Sequence, residues 1–139
     1  MFAGHDPAVA ALLRDAARLE PAYAQVHYNL AMVLEQDHDL LRAGREYEEA
    51  IRLKPYFAAA YDNLGTICTR QGDTLGAVRQ YRTALAVQPS FPASLYHLTS
   101  LYLAMGKTDS ARYWSRRADS LFPQIPEIHA LYKQAWARP

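Results

Sequence analysis

The sequence predicts an all-α chain built of stacked helix pairs, and three observations carry that expectation. Pro21, Pro55, Pro89 and Pro123 follow one another at a constant spacing of 34 residues. Other positions recur in the same phase: Leu30, Leu64 and Leu98; Ala43, Ala77 and Ala111; Ala50, Ala84 and Ala118. Within each period, two stretches with helical spacing of apolar residues are separated by a turn signal. A fixed period of this length marks a solenoid, in which no unit buries its apolar face alone and stacking completes the core.

Read in order, the chain predicts eight helices in a single domain spanning 1–139. The segment 6–20 opens with Asp6 as an N-cap and Pro7 in the first helical turn. It places Val9, Leu12, Leu13 and Ala16 on one face and corresponds to the second helix of a unit. Three complete units follow, 24–57, 58–91 and 92–125. In the middle unit Tyr61, Leu64 and Cys68 mark the first helix, Gly72 and Asp73 make the turn, and Ala77, Tyr81, Ala84 and Leu85 mark the second. Gly106 makes the equivalent turn in the third unit. His38 stands there in the first, so that turn is expected to be strained or differently closed. Ala31, Gly65 and Thr99 share a slot for compact residues, which lets the paired backbones approach closely. Tyr47 and Tyr81 share an aromatic slot that Ser115 breaks, leaving the third unit's packing the most irregular. Residues 126–138 form a capping helix, or the first helix of a further unit, with Ile128, Leu131, Tyr132, Ala135 and Trp136 as its stripe. A chain that begins in mid-unit is expected to be either a segment of a longer array or a short protein with atypical ends.

The period, the matched slots and the closing strings IRLKP, LAVQP and SLFP resemble the tetratricopeptide repeat family. The slot that usually holds tryptophan in that family carries His27, Tyr61 and Leu95 here. The resemblance implies an α-solenoid, a right-handed superhelix of antiparallel helix pairs whose first helices line a concave groove. Carried over slot by slot, the groove-lining residues would be Tyr28, Asn29, Met32 and Glu35, then Asp62, Asn63, Thr66 and Thr69, then Tyr96, His97, Ser100 and Leu103. Asn29 and Asn63 resemble the asparagine ladder of O-GlcNAc-transferase-like members, which holds an extended peptide by its backbone. A carboxamide offers the donor and the acceptor that a peptide group needs. The alternative is that each amide bonds a neighbouring helix and fixes the stacking angle. The carboxylate clamp of chaperone-binding members is not matched: its cation slots hold Tyr28, Ala93 and His97, and Met32 replaces an asparagine, leaving Asn63 alone. An acidic C-terminal tail is therefore not the expected ligand of the groove.

Composition agrees with an interaction module. Half the residues are hydrophobic, 21% are charged and the net charge is +1, so no long-range field draws nucleic acid or an anionic membrane. The single cysteine, Cys68, forms no internal disulfide and sits at a core slot, where a thiol behaves as a small hydrophobe. The histidines at 5, 27, 38, 97 and 129 lack ligand spacing for a metal, and no phosphate-binding glycine loop is present. The acidic run EYEE reads as a solvated helix face. RYWSRR, with Tyr113, Trp114, Arg116 and Arg117, is the one unusual string. Its aromatics and arginines either bind a partner protein, or stack on single-stranded nucleic acid, or pack Trp114 on the last helix with the arginines hydrated. No signal peptide or membrane span is visible, so the default compartment is cytoplasmic. The expectation is a non-catalytic scaffold without cofactor or metal that binds a protein or peptide in its groove. Two alternatives stay open: a self-assembly element associating through its terminal helices, and a substrate-recruiting segment of a larger enzyme such as a glycosyltransferase.

Overall fold

The computed structural model describes residues 6–137. Eight helices follow one another: α1 (Pro7–Leu19), α2 (Ala24–Gln36), α3 (Leu40–Leu53), α4 (Ala58–Arg70), α5 (Thr74–Val87), α6 (Pro92–Ala104), α7 (Thr108–Leu121) and α8 (Pro126–Trp136). Each packs on its neighbours in the chain, most extensively within the pairs α2/α3, α4/α5 and α6/α7, and α6 also touches α8. The result is an all-α solenoid.

Local signals set the boundaries. Asp6, Asp39 and Asp73 each accept a hydrogen bond from a backbone N–H of the turn they open, Ala8, Arg42 and Gly76 respectively. The turns inside the three pairs close alike. Asp39 N–H reaches Leu34 O at 2.8 Å, Asp73 N–H reaches Cys68 O at 2.8 Å, and Lys107 N–H reaches Tyr102 O at 2.9 Å. This closure requires a left-handed residue, which is Gly72 (φ 78°) and Gly106 (φ 68°) in two pairs and His38 (φ 62°) in the first. The histidine does not reroute the turn; it occupies the glycine conformation, at a steric cost of about 1–2 kcal/mol for an L-residue.

Between the helices of a pair, the compact slot faces the aromatic one. A Cβ placed on Gly65 would lie 2.6 Å from Cε1 of Tyr81, so a side chain there would force that ring to shift. The first pair places Ala31 opposite Tyr47 in the equivalent slots, and the third places Thr99 opposite Ser115, with all four side chains fully buried. The larger residue of the two slots thus lies on the first helix in the third pair and on the second helix in the other two. Two clusters form the core. Leu30, Leu34, Tyr47, Leu64 and Ile67 centre one, and Tyr81, Leu85, Leu95, Leu98 and Ile128 centre the other.

The ends depart from the sequence pattern. On α1 the buried residue is Ala10, with Leu13 and Ala17 packed against the first cluster, whereas Val9 (43% exposed) and Leu12 (69%) face solvent. The expected face of Val9, Leu12, Leu13 and Ala16 is thus rotated, because α1 packs mainly on α2 and the row of Ala10, Leu13 and Ala17 is the one turned toward the core. α8 buries Ile128 and Ala135, half-buries Leu131 and Tyr132, and leaves Trp136 on the surface. Residue 138 lies outside the described residues.

Candidate functional site

Side-chain hydrogen bonds hold α2, α4 and α6 in a row. Asn63 Nδ2 donates to Tyr28 Oη and to Tyr47 Oη, both at 3.1 Å. Tyr47 Oη in turn donates to Glu35 Oε2 at 2.9 Å. Arg70 donates to Glu35 Oε1 at 3.3 Å and to His38 Nδ1 at 3.1 Å. One step along the stack, Ser94 Oγ donates to Asp62 Oδ1 at 2.7 Å, and His97 Nδ1 lies 3.0 Å from the same oxygen. Each network crosses from one helix pair to the next, so the polar groups on this face determine how successive pairs sit together.

Between α2 and α4 these groups frame a recess of about 300 Å³ lined by Met32, Glu35, Gln36, His38, Tyr47, Asn63 and Arg70. Both N–H bonds of the Asn63 amide are spent on tyrosine hydroxyls. Its carbonyl oxygen accepts no hydrogen bond among the described residues. Met32, 39% exposed, supplies the apolar wall. A second recess of about 230 Å³ lies between the N-terminal turns of α6 and α8, lined by Pro92, Ala93, Tyr96, Ile125, Glu127 and Ile128. It is almost entirely apolar in character.

The groove residues expected from sequence separate into two groups. Met32, Glu35 and Asn63 come together in the first recess, and Tyr96 lines the second. Asn29 is exposed and its Oδ1 accepts from Gln25 one turn earlier at 3.0 Å. Ser100 and Leu103 are half-buried and line neither recess. The other residues make contacts within the fold. Tyr28 packs against Tyr47 and Phe57, with ring centroids 5.6 and 4.7 Å away. Asp62 is buried at 4% exposure and its carboxylate is engaged by α6, so it is closed to a ligand. His97 turns toward Asp62 and stacks on Tyr81 at 5.3 Å. Thr66 and Thr69 return their hydroxyls to the carbonyls of Asp62 and Gly65 on their own helix. Arg70, His38, Gln36 and Tyr47 belong to the recess and were not expected there.

Burial sets the ionisation of this face. Desolvation raises the Tyr28, Tyr47 and Tyr81 phenols above their ordinary value of 10.0, and at Tyr47 the Glu35 carboxylate adds to the effect. The neutral phenols therefore contribute stability that is present below pH 10 and lost as pH rises above it, where the unfolded chain releases protons that the folded chain retains. Alkaline denaturation followed by circular dichroism should show stability falling from about pH 10 upward, by at most about 1.4 kcal/mol per pH unit for each tyrosine. A flat profile there would mean that these hydroxyls ionise freely in the fold. Cys68, half-buried on α4, is likewise raised by desolvation and then by the negative charge of Asp73.

Among the described residues no group of three or more histidine, cysteine, aspartate or glutamate side chains is placed to hold a metal ion. No helix among them is long and apolar enough to cross a membrane.

Comparison with known proteins agrees with this architecture. Two family models described as tetratricopeptide repeat match residues 24–57 and 64–126, together more than half of the chain. None of the curated proteins matches it. The crystal structure of MamA superposes with a TM-score of 0.81 at 17% identity, over 91% of this chain and 74% of that one. The crystal structure of YrrB, described as a TPR protein with an unusual peptide-binding site, superposes with a TM-score of 0.80 at 21% identity, over 91% of this chain and 65% of that one. With the constant period, the paired helices and the close-approach slots in place, the chain belongs to the tetratricopeptide repeat family, whose members generally serve as non-catalytic interaction scaffolds.

Proposed function

We propose that the chain binds an extended segment of a partner protein along the row of α2, α4 and α6, with the recess between α2 and α4 as its principal contact. The observation that carries this reading is the Asn63 amide. Two tyrosine hydroxyls accept from its nitrogen, and the residue lines the recess together with Met32, so its carbonyl oxygen is the acceptor offered to a ligand in this reading. The amide is thus both brace and acceptor, one half of the ladder interaction. Asn29 offers the complementary donor through its Nδ2. The peptide-binding site described for YrrB supports the same reading.

Polar contacts orient such a ligand and do not hold it. A neutral hydrogen bond contributes about 0.5–1.5 kcal/mol net, against roughly 8 kcal/mol for a micromolar complex. The apolar contacts of Met32, and of Tyr96 in the second recess, supply the larger share, since methionine and aromatic side chains offer adaptable contact area. A random peptide array probed with wild type and with Met32→Glu tests this directly. Met32 is surface-exposed, so the variant retains the fold, and it should lose most captured spots. Identical spot patterns for the two proteins would remove the recess from the binding surface.

A further inference from the structure

The two arginines at one-turn spacing in the middle of α7 converge on the last helix. Arg112 and Arg116 both lie against the Trp136 ring, their guanidinium carbons 5.2 and 4.5 Å from its centroid. Arg112 is further fixed by donating from Nε to Ala135 O at 3.1 Å. Stacking on an indole occupies the face of a guanidinium and leaves its N–H edge for other partners, at Arg112 the Nη groups alone because its Nε is taken by Ala135 O. Neither arginine forms an ion pair among the described residues, whereas Arg18, Arg42, Arg52 and Arg70 all do. These two groups, with Asp109, Tyr113 and Trp136, enclose a recess of about 320 Å³ that shares no residue with the recesses of the α2/α4/α6 face. Tyr113 is 60% exposed and forms its open wall.

We propose that this recess is a second binding site, which takes a carboxylate side chain flanked by an aromatic or apolar residue in a partner polypeptide. Two planar forks held in place match the two oxygens of a carboxylate, which is the geometry in which arginine surpasses lysine. The indole and the phenol provide an apolar surface for the neighbouring side chain, a combination of residue types enriched where interfaces concentrate their energy. The local charge favours a monoanion. Asp109 on the rim repels a second negative charge, and the net charge of +1 gives no field for a polyanion such as nucleic acid.

The test is a titration of the isotope-labelled full chain, followed by nuclear magnetic resonance, with the capped peptide Gly-Glu-Phe-Gly. Capped Gly-Gln-Phe-Gly and inorganic phosphate serve as separate arms. The Glu peptide should move the Trp136 indole N–H and the Arg116 side-chain signals saturably, while the Gln peptide leaves them in place. Arg116→Gln should weaken binding by about tenfold and Arg116→Lys by less, because lysine keeps the charge but loses the fork. Arg116 makes no hydrogen bond within the described fold, so its variants should melt as wild type does. Arg112→Gln would also release Ala135 and serves as a second comparison. Equal shifts from both peptides, undiminished binding by Arg116→Gln, tighter binding of phosphate than of the peptide, or shifts confined to Met32 and Asn63 would each overturn the proposal.

Discussion

Replacing Tyr47 with alanine should destabilise the fold by about 3–5 kcal/mol, the usual cost of emptying a fully buried aromatic site. Tyr47→Phe isolates the hydroxyl. It removes the bond to the Glu35 carboxylate and one of the two acceptors for Asn63, for an expected loss of about 1.5–3 kcal/mol. Equilibrium denaturation in urea measures both, and the midpoint should fall without a change in slope. A Tyr47→Phe protein as stable as wild type would show that water replaces the hydroxyl at no cost. The network joining α2, α3 and α4 would then be ornamental to stability. The pair of variants also separates packing from orientation. The alanine form loses the first core cluster's largest member, and the phenylalanine form keeps that cluster but loosens the amide that faces the recess.

Asp62→Ala should cost about 3 kcal/mol, from roughly 1–3 kcal/mol for each of the two donors it leaves unpaired. Ser94 is fully buried and has no other acceptor for its hydroxyl, and His97 loses the oxygen that fixes its ring over Tyr81. The damage should concentrate at the junction of α4 and α6. Hydrogen exchange should then accelerate across α6 and α7 more than across α2 and α3. Uniform acceleration along the chain would argue that the pairs do not separate at this joint. Asp62→Asn is the informative companion, since an amide still accepts from Ser94 and should recover part of the loss.

The fold was legible in the sequence because its determinants are periodic. The prolines, the recurring alanines and leucines and the turn glycines all state the same helix pair, and the structure forms each pair where they place it. The exchange of Gly65 and Tyr81 for Thr99 and Ser115 was visible only as a broken aromatic slot. The reversed order of sizes appears once the two slots are known to face each other across a pair. The α1 face differs from the amphipathic pattern because amphipathicity reports every apolar residue, while burial depends on where the neighbours lie, and among the described residues α1 packs mainly on α2.

The site was harder to read, for a geometric reason. Slots were carried over helix by helix, and this treats each residue as facing outward on its own. The structure instead couples residues of successive helices at a separation of 35: Tyr28 with Asn63, Glu35 with Arg70, and Asp62 with His97. That offset, one more than the period, brings a side chain of one leading helix beside its counterpart on the next. Scanning for complementary partners at 35 would have identified Arg70 as part of the recess and marked Asp62 as internal.

The depressed acidity of Cys68 has a practical bearing. At neutral pH almost none of this sulfur is thiolate, the form that attacks alkylating reagents. A fluorophore should therefore attach faster at an introduced Gln36→Cys, exposed on the recess rim, than at the native half-buried sulfur.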